Sequence, residues 1–480
     1  MKHISFVALF LLFFYSAVSA QPKQEVRAVW IATAFSLDWP KHTASDTEAQ
    51  KNELISVLDK LKAANFNTIF FQVRLRGNVI YNSRYEPVSR SITLSSRYDP
   101  LAFAIEECHK RGLELHAWFT PYNLGNDRKS PTISNNAGIV KPSKASVAKK
   151  EYFFDPGEPQ TNEYLLSLIL ELVANYDIDG FHFDRIRYPD AGEDFDDYPT
   201  FKKYGRGQNT RAWRRENINL FVYTAYDAIK AIKPWVQVSS AVVGVYSKLP
   251  SVKRSYLRAY DDACQDPADW LRKGKHDFIV PMMYFSNDLF LPALSNWIDY
   301  SYGRYIVPGL GIFKLDEKEG NWPPEWITRQ IQYSRTTRAQ GNAFYRMLFL
   351  TENKKGVMDE LTRNYYRNPA LLYPLKWLKS TSPSPPADPE FVKAGNTVHL
   401  QWKNMEEHGK EKVFYNVYCS PFSPVDTSNP KNLIATRLES TSLPVKNPIG
   451  HYYVVTSYDR YHNESISSNE VHMKYQVSSK

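Results

Sequence analysis

The run Phe181-His182-Phe183-Asp184-Arg185-Ile186-Arg187-Tyr188-Pro189 is where the side chains of this chain could do chemistry. An apolar stretch ends in a carboxylate, two guanidinium groups follow, and Pro189 stiffens the exit. His182 and Asp184 share parity, so on a strand both face the same side. A carboxylate presented at a strand end beside guanidinium groups suits a nucleophile, or an electrostatic stabiliser of an oxocarbenium-like transition state. That is the chemistry of glycosidic bond cleavage. The plainer alternative is a structural Asp–Arg pair opening a loop. Cleavage also needs a second carboxyl as general acid. The expected acid is Asp266, then Asp262, both after the fifth predicted strand, although Asp266 precedes Pro267 in the pattern of a helix N-cap. Glu86 and Glu158 are outlying candidates. Arg74, His116, Trp118, Tyr122, Asn123, His182, Arg187 and Tyr284 fall at or near predicted strand ends. Rings there would stack on sugar faces, and amides and guanidinium groups would bind hydroxyls. No Cys/His cluster has zinc-ligand spacing, and neither a metal nor a cofactor is expected.

These residues need elements to hold them. Short apolar strands are predicted over residues 27–33, 68–74, 114–119, 180–184, 237–243, 278–284, 305–311 and 342–347. Helical periodicity falls between them over 47–64, from Asp99-Pro100 to Gly112, and over 162–176, 211–232, 266–273, 324–338 and 358–367. Eight strands alternating with helices predict an α/β fold, a (β/α)₈ TIM barrel with long loops. A doubly wound open sheet is the alternative, but no Gly-rich phosphate turn follows the first strand. In a barrel, function gathers at the C-terminal strand ends, where Asp184 would stand. A Pro/Ser linker is read over 379–389. Beyond it the pattern is all-β, with alternation over 396–402, 413–419, 442–445 and 451–458. The expected domains are therefore a leader over 1–20, a barrel over 21–378, the linker, and a small β domain over 390–480.

Composition sets the class. With 480 residues, more than one core is expected. A hydrophobic share of 43% and a charged share of 23% exclude a disordered chain or a membrane bundle. Residues 1–20 read as a secretory signal peptide: Lys2 and His3, an apolar run, then Val18-Ser19-Ala20 before Gln21. The run is short for a transmembrane span, so export to the periplasm or cell surface is expected. The three cysteines, Cys108, Cys264 and Cys419, are spread along the chain; Cys108, in a helical pattern, and Cys419, in a strand pattern, read as buried free thiols. The formal charge of +9 suits an acidic polymer, but the basic residues are scattered, and nucleic acid is not an expected partner.

Two resemblances follow from these motifs. The chain resembles the bacterial exported glycoside hydrolase-like family 10 over about residues 25–365. The likeness rests on Glu25-Val26-Arg27-Ala28-Val29-Trp30-Ile31, Asn67-Thr68-Ile69-Phe70-Phe71-Gln72-Val73-Arg74, Tyr98-Asp99-Pro100-Leu101, His116-Ala117-Trp118, the block from Asp179 to Pro189, and Gln265-Asp266 through Trp270. It implies a glycosidase-like barrel with a strand-four aspartate nucleophile at Asp184, and points to cell-wall or other glycans; the expected function is hydrolysis of an extracytoplasmic glycan with retention. The chain has Thr120-Pro121-Tyr122-Asn123 where the family often has Asn-Pro-Tyr, and Met283 where it often has Asn. The alternative function is non-catalytic glycan binding on a degenerate barrel. The tail resembles a fibronectin type III module through Leu400-Gln401-Trp402, Tyr415-Asn416-Val417-Tyr418 and the run Tyr452 to Asp459.

Overall fold

The computed structural model describes residues 21–95, 97–142, 151–189, 195–405, 412–446 and 448–474. The signal-peptide reading of residues 1–20 lies outside them. Eight parallel strands form a closed ring: β1 (Val26–Ile31), β2 (Thr68–Leu75), β3 (Glu114–Phe119), β4 (Gly180–Phe183), β5 (Gln237–Val243), β6 (Phe278–Met282), β7 (Tyr305–Ile306 and Gly309–Leu310) and β8 (Gly341–Phe344). Each pairs with the next, and β1 closes the ring by pairing with both β2 and β8. Every residue of β1, β3, β4, β5 and β8 is buried, because one face fills the barrel and the other meets helices. The (β/α)₈ reading therefore holds.

The helices form where caps and apolar spacing coincide. α1 (Thr47–Ala63) buries Leu54, Val57, Leu58 and Leu61 and is capped by Asp46. α2 (Pro100–Lys110) starts with the Asp99 carboxylate accepting from the N–H groups of Leu101 and Ala102, each at 3.0 Å, and Pro100 in the first turn. α3 (Pro159–Asn175), α4 (Thr210–Ile232), α5 (Pro267–Arg272) and α7 (Pro324–Thr336) match the expected helical stretches. α6 (Asn287–Asp299) was not foreseen: Pro292 stands inside it, where the missing N–H and the ring normally end a helix. The seventh strand is split rather than continuous over 305–311, because Pro308 has no N–H to give to the ladder. Near 358–367 the chain instead forms Val357–Glu360 running into a π turn over Leu361–Tyr365.

The tail folds into two antiparallel sheets. One has the order β9 (Ala387–Ala394), β10 (Thr397–Lys403), β13 (Ser442–Val445); the other β12 (Leu433–Leu438), β11 (Val413–Ser420), β14 (Tyr452–Asp459), β15 (Val471–His472). β9 begins inside the stretch read as linker. Leu400, Trp402, Tyr415, Val417, Tyr453 and Val455 share one core, contributed by both sheets. The opposite face of the four-stranded sheet, through Phe414, Tyr418, Val454 and Tyr458, packs with Leu371 from the end of the barrel.

The two parts lock through buried charge at the N-terminal ends of β3 and β4. The Arg437 guanidinium reaches Asp179 and the Leu113 carbonyl, and His462 Nε2 lies 2.7 Å from Glu114 Oε1. His109 Nε2 sits 2.8 Å from the other Asp179 oxygen, and Gln237 donates to Glu114 Oε2 at 2.8 Å. Burial alone would raise the Asp179 carboxyl; Arg437, then His109, overcome it and hold the group below the usual carboxylate range. Replacing Arg437 with Met should leave buried Asp179 with His109 as its remaining cationic partner and cost about 3–5 kcal/mol of stability. Urea unfolding followed by Trp fluorescence checks this, and an unchanged midpoint would refute the lock.

Candidate functional site

The C-terminal strand ends open into a cleft of about 370 Å³. Its walls are Trp30, Gln72, Trp118, Asp184, Arg185, Arg187, Met282, Tyr284 and Tyr345, with Phe35, Arg76, Asn123 and Glu151 from the loops above. Asp184 follows β4 directly, and its N–H still donates to the Phe119 carbonyl at 2.9 Å, so the ladder itself fixes its position. Trp118, on the neighbouring strand, donates its indole N–H to Asp184 Oδ2 at 3.2 Å. That group can only donate, so it aims one carboxylate oxygen and leaves the other for a ligand.

Aromatic rings surround this carboxylate. Tyr284 and Tyr345 stack at 5.5 Å between centroids with 21° between planes, and Trp30 meets Tyr345 edge-on at 5.9 Å. Burial, then the Asp184 charge, raises the Tyr345 phenol; burial, then Tyr345 and Asp184, raises that of Tyr284. Both therefore remain protonated donors. Among the described residues lining the cleft, the other carboxylate is Glu151. It accepts from Arg76 at 2.9 Å and from the Asn123 amide at 3.0 Å. A Cβ at Gly125, whose φ is +73°, would fall 2.4 Å from Arg76 Nε, so glycine is what lets the guanidinium reach across.

With this geometry in place, the chain can be set beside known proteins. Residues 25–298 match the family described as glycosyl hydrolase-like 10. The chain is 31% identical over 488 aligned positions to glycosyl hydrolase YngK of Bacillus subtilis (strain 168), covering 94% of both chains.

This chain belongs to the glycosyl hydrolase-like 10 family.

Glycosyl hydrolase DigH of Escherichia coli (strain K12) is 32% identical over 297 positions, covering 56% of this chain and 67% of that protein. Among solved structures, the glycoside hydrolase domain of PgaB (BpsB) from Bordetella bronchiseptica superposes with a TM-score of 0.53 at 14% identity, covering 72% of this chain and 99% of that one. This likeness is one of fold.

The structure brings together five of the residues expected from sequence: Asp184, Trp118, Asn123, Arg187 and Tyr284. It places six others elsewhere. Asp266 caps α5, accepting from Asp269 N–H at 3.3 Å and from the Tyr246 hydroxyl at 2.8 Å, and does not line the cleft. Asp262 is tied to the Arg258 side chain at 2.8 and 2.9 Å in a surface loop. Arg74 is buried against Glu86 and the carbonyls of Thr120 and Pro121. Tyr122 is buried beside Phe221. His116 lies low in the barrel, 3.1 Å from Glu114. His182 lies beneath the cleft: it accepts from the Trp30 indole at Nε2, 3.1 Å, which leaves Nδ1–H to donate to Ser239 Oγ at 2.8 Å. Burial, then the nearby His116 and His276, holds His182 neutral.

Of the outlying acids, Glu86 pairs with Arg74, and Glu158 stands at the N-cap position of α3 without a side-chain capping bond. Trp30, Glu151 and Tyr345 were not foreseen. Tyr345 follows β8 and was accessible to the same strand-end rule; Glu151 sits in a loop with no periodic signal. Met283 is fully buried among the outer core residues, so the departure from the family pattern there removes no group from the cleft wall.

Asp155, just past Glu151, offers a pH signature. It accepts from Thr200 Oγ1 at 2.6 Å and from Gly157 N–H at 2.9 Å, yet burial dominates and pushes its pKa up to about 6. The folded state binds this proton more tightly than the unfolded chain. The stability it contributes is therefore present at low pH and lost as pH rises through about 6. Asp155→Asn stays neutral, so its melting temperature relative to wild type should climb between about pH 4 and about pH 7. A difference independent of pH would refute this.

Proposed function

We propose that the chain hydrolyses O-glycosidic bonds of a bacterial cell-wall or other extracytoplasmic polysaccharide, with retention of configuration. The observation that carries this reading is the Asp184 carboxylate, aimed by Trp118 into an aromatic cleft at the mouth of a barrel. Asp184 attacks the anomeric carbon while the glycosidic C–O bond breaks and the leaving oxygen takes a proton from an acid. Water, deprotonated by the same group, then cleaves the glycosyl–enzyme ester. Glu151 is our candidate for that acid, because it lines the cleft with Asp184, whereas Asp266 and Asp262 do not; the Arg76 and Asn123 contacts on its oxygens must give way for it to hold the proton. Relatives named glycosyl hydrolase support the reaction class. Export to the periplasm or cell surface rests on the signal-like residues 1–20. The three-plus-four strand arrangement supports a fibronectin type III-like tail.

The test is reducing-end release from purified cell-wall glycan strands and a panel of other polysaccharides. Asp184→Asn should lower turnover by about 10³-fold or more and Glu151→Gln by about 10²-fold. Asp262→Asn should keep it. Wild-type turnover in Asp184→Asn would sink the assignment. A second reading, glycan binding without cleavage, is favoured by one observation: Glu151 is held by Arg76 and Asn123, a setting suited to gripping a ligand. Binding by the wild-type chain with no release from any glycan would select it.

A further inference from the structure

A larger groove, about 640 Å³, adjoins the cleft, and the two share Ala34, Phe35, Leu75 and Arg76 as their common wall. Phe35 stands on this wall with 73% of its surface exposed. An exposed phenylalanine is unremarkable by itself. This one is held in place at a cost. Phe35 and Ser36 both have φ of 53°, the left-handed region that costs roughly 1–2 kcal/mol for a residue with a Cβ.

The surrounding hydrogen bonds hold that conformation. The Gln72 side-chain oxygen accepts from the N–H groups of Thr33 and Ala34 at 3.1 and 2.9 Å. Lys41 Nζ donates to the carbonyls of Ser36 and Leu37 at 2.8 and 2.7 Å, and Arg346 also donates to Leu37 at 2.7 Å. The Arg76 guanidinium lies 5.1 Å from the Phe35 ring centroid, steadying one side of it. The chain thus fixes an apolar ring in solvent between two cavities. Across the groove, Ser130 is only 7% exposed, lines the wall, and its hydroxyl has no hydrogen-bond partner among the described residues. A buried hydroxyl left unpaired is costly unless a ligand completes it. Arg90 and Lys129 line the same groove and add donors.

We propose that this groove is a second saccharide subsite, which holds further sugars of the same glycan chain whose bond lies at Asp184, with Phe35 as the stacking platform between the two. The inference rests on the glycan-directed reading above and deepens it: the ligand is a chain several sugars long, not a monosaccharide or a terminal disaccharide. Flat apolar sugar faces lie on Phe35, and hydroxyls meet Ser130, Arg90 and Lys129.

The test uses full-length Asp184→Asn protein, which binds without turnover, and peptide-free glycan strands from bacterial peptidoglycan, sized from about two to about eight sugars. A matched chitooligosaccharide series forms a second arm. Calorimetry should show affinity rising at least about tenfold from the shortest to the longest strand. Adding Phe35→Ala should cut that gain to about threefold or less. Asn126→Trp, at an exposed position of the groove wall, should do the same by obstruction, and guards against a Phe35 variant that fails to fold. Equal affinity at every length, no binding at any length, or a length gain that survives both substitutions overturns the subsite. Release of reducing ends by wild-type protein is measured separately: length-dependent binding without release rejects hydrolysis but keeps the subsite, and release with length-independent binding does the reverse.

Discussion

Closure of the strand ring by β1 is the constraint on which the site depends. Val26 to Val29 pair with Gly341 to Phe344 on one side, and Ala28 to Ile31 pair with Thr68 to Phe71 on the other. The seam tolerates no side chain at Gly341, where φ is +139° and a Cβ would fall 2.0 Å from the Val26 carbonyl oxygen. Because every pairing in the ring is parallel, closure brings all the C-terminal strand ends to one rim. Trp30 and Tyr345, far apart in sequence, become ring neighbours there, and Asp184 enters the circle they complete.

The same closure explains why facing inward is different from facing the substrate. An eight-stranded barrel is filled by its own side chains rather than hollow. Phe70 stacks on His182 with centroids 4.0 Å apart, and Phe278 and His116 pack against Phe70. His182 is two residues before Asp184, roughly 6.6 Å deeper along the strand. It serves as a neutral link between Trp30 and Ser239, bracing the residues above it. Parity predicts the face of a strand on which a residue lies; only position at the strand end predicts access.

That distinction sets how much was legible in the sequence. The barrel was, because strands buried on both faces and one-sided helices leave opposite periodic marks. The place of Asp184 at the barrel mouth was, because it ends an apolar run immediately before Arg185 and Arg187. α6 was not, since Pro292 breaks the pattern that its packing nonetheless enforces. Glu151 was not, since it belongs to an excursion of three short strands, Asn123–Gly125, Val140–Pro142 and Tyr152–Phe154, whose position over the cleft depends on tertiary pairing. Asp266 shows a local rule prevailing over a functional guess: an aspartate before proline at a helix start is already occupied by the N–H it caps, here that of Asp269.

The barrel's polarity also assigns the tail its place. Arg437, His462 and Arg460 meet Leu113, Glu114, Asp177 and Asp179, all at or just before the N-terminal ends of β3 and β4. These positions lie at the opposite end of the barrel from the cleft. Backbone bonds tie the same region, from Leu375 N–H to the Tyr461 carbonyl at 2.9 Å and from Glu25 N–H to the Leu371 carbonyl at 2.9 Å. A tail fixed at the floor by buried ion pairs acts there, and among the described residues it adds no wall to the cleft. On the proposed reading, a long glycan lying along the cleft and its neighbouring groove would therefore meet barrel residues on both walls.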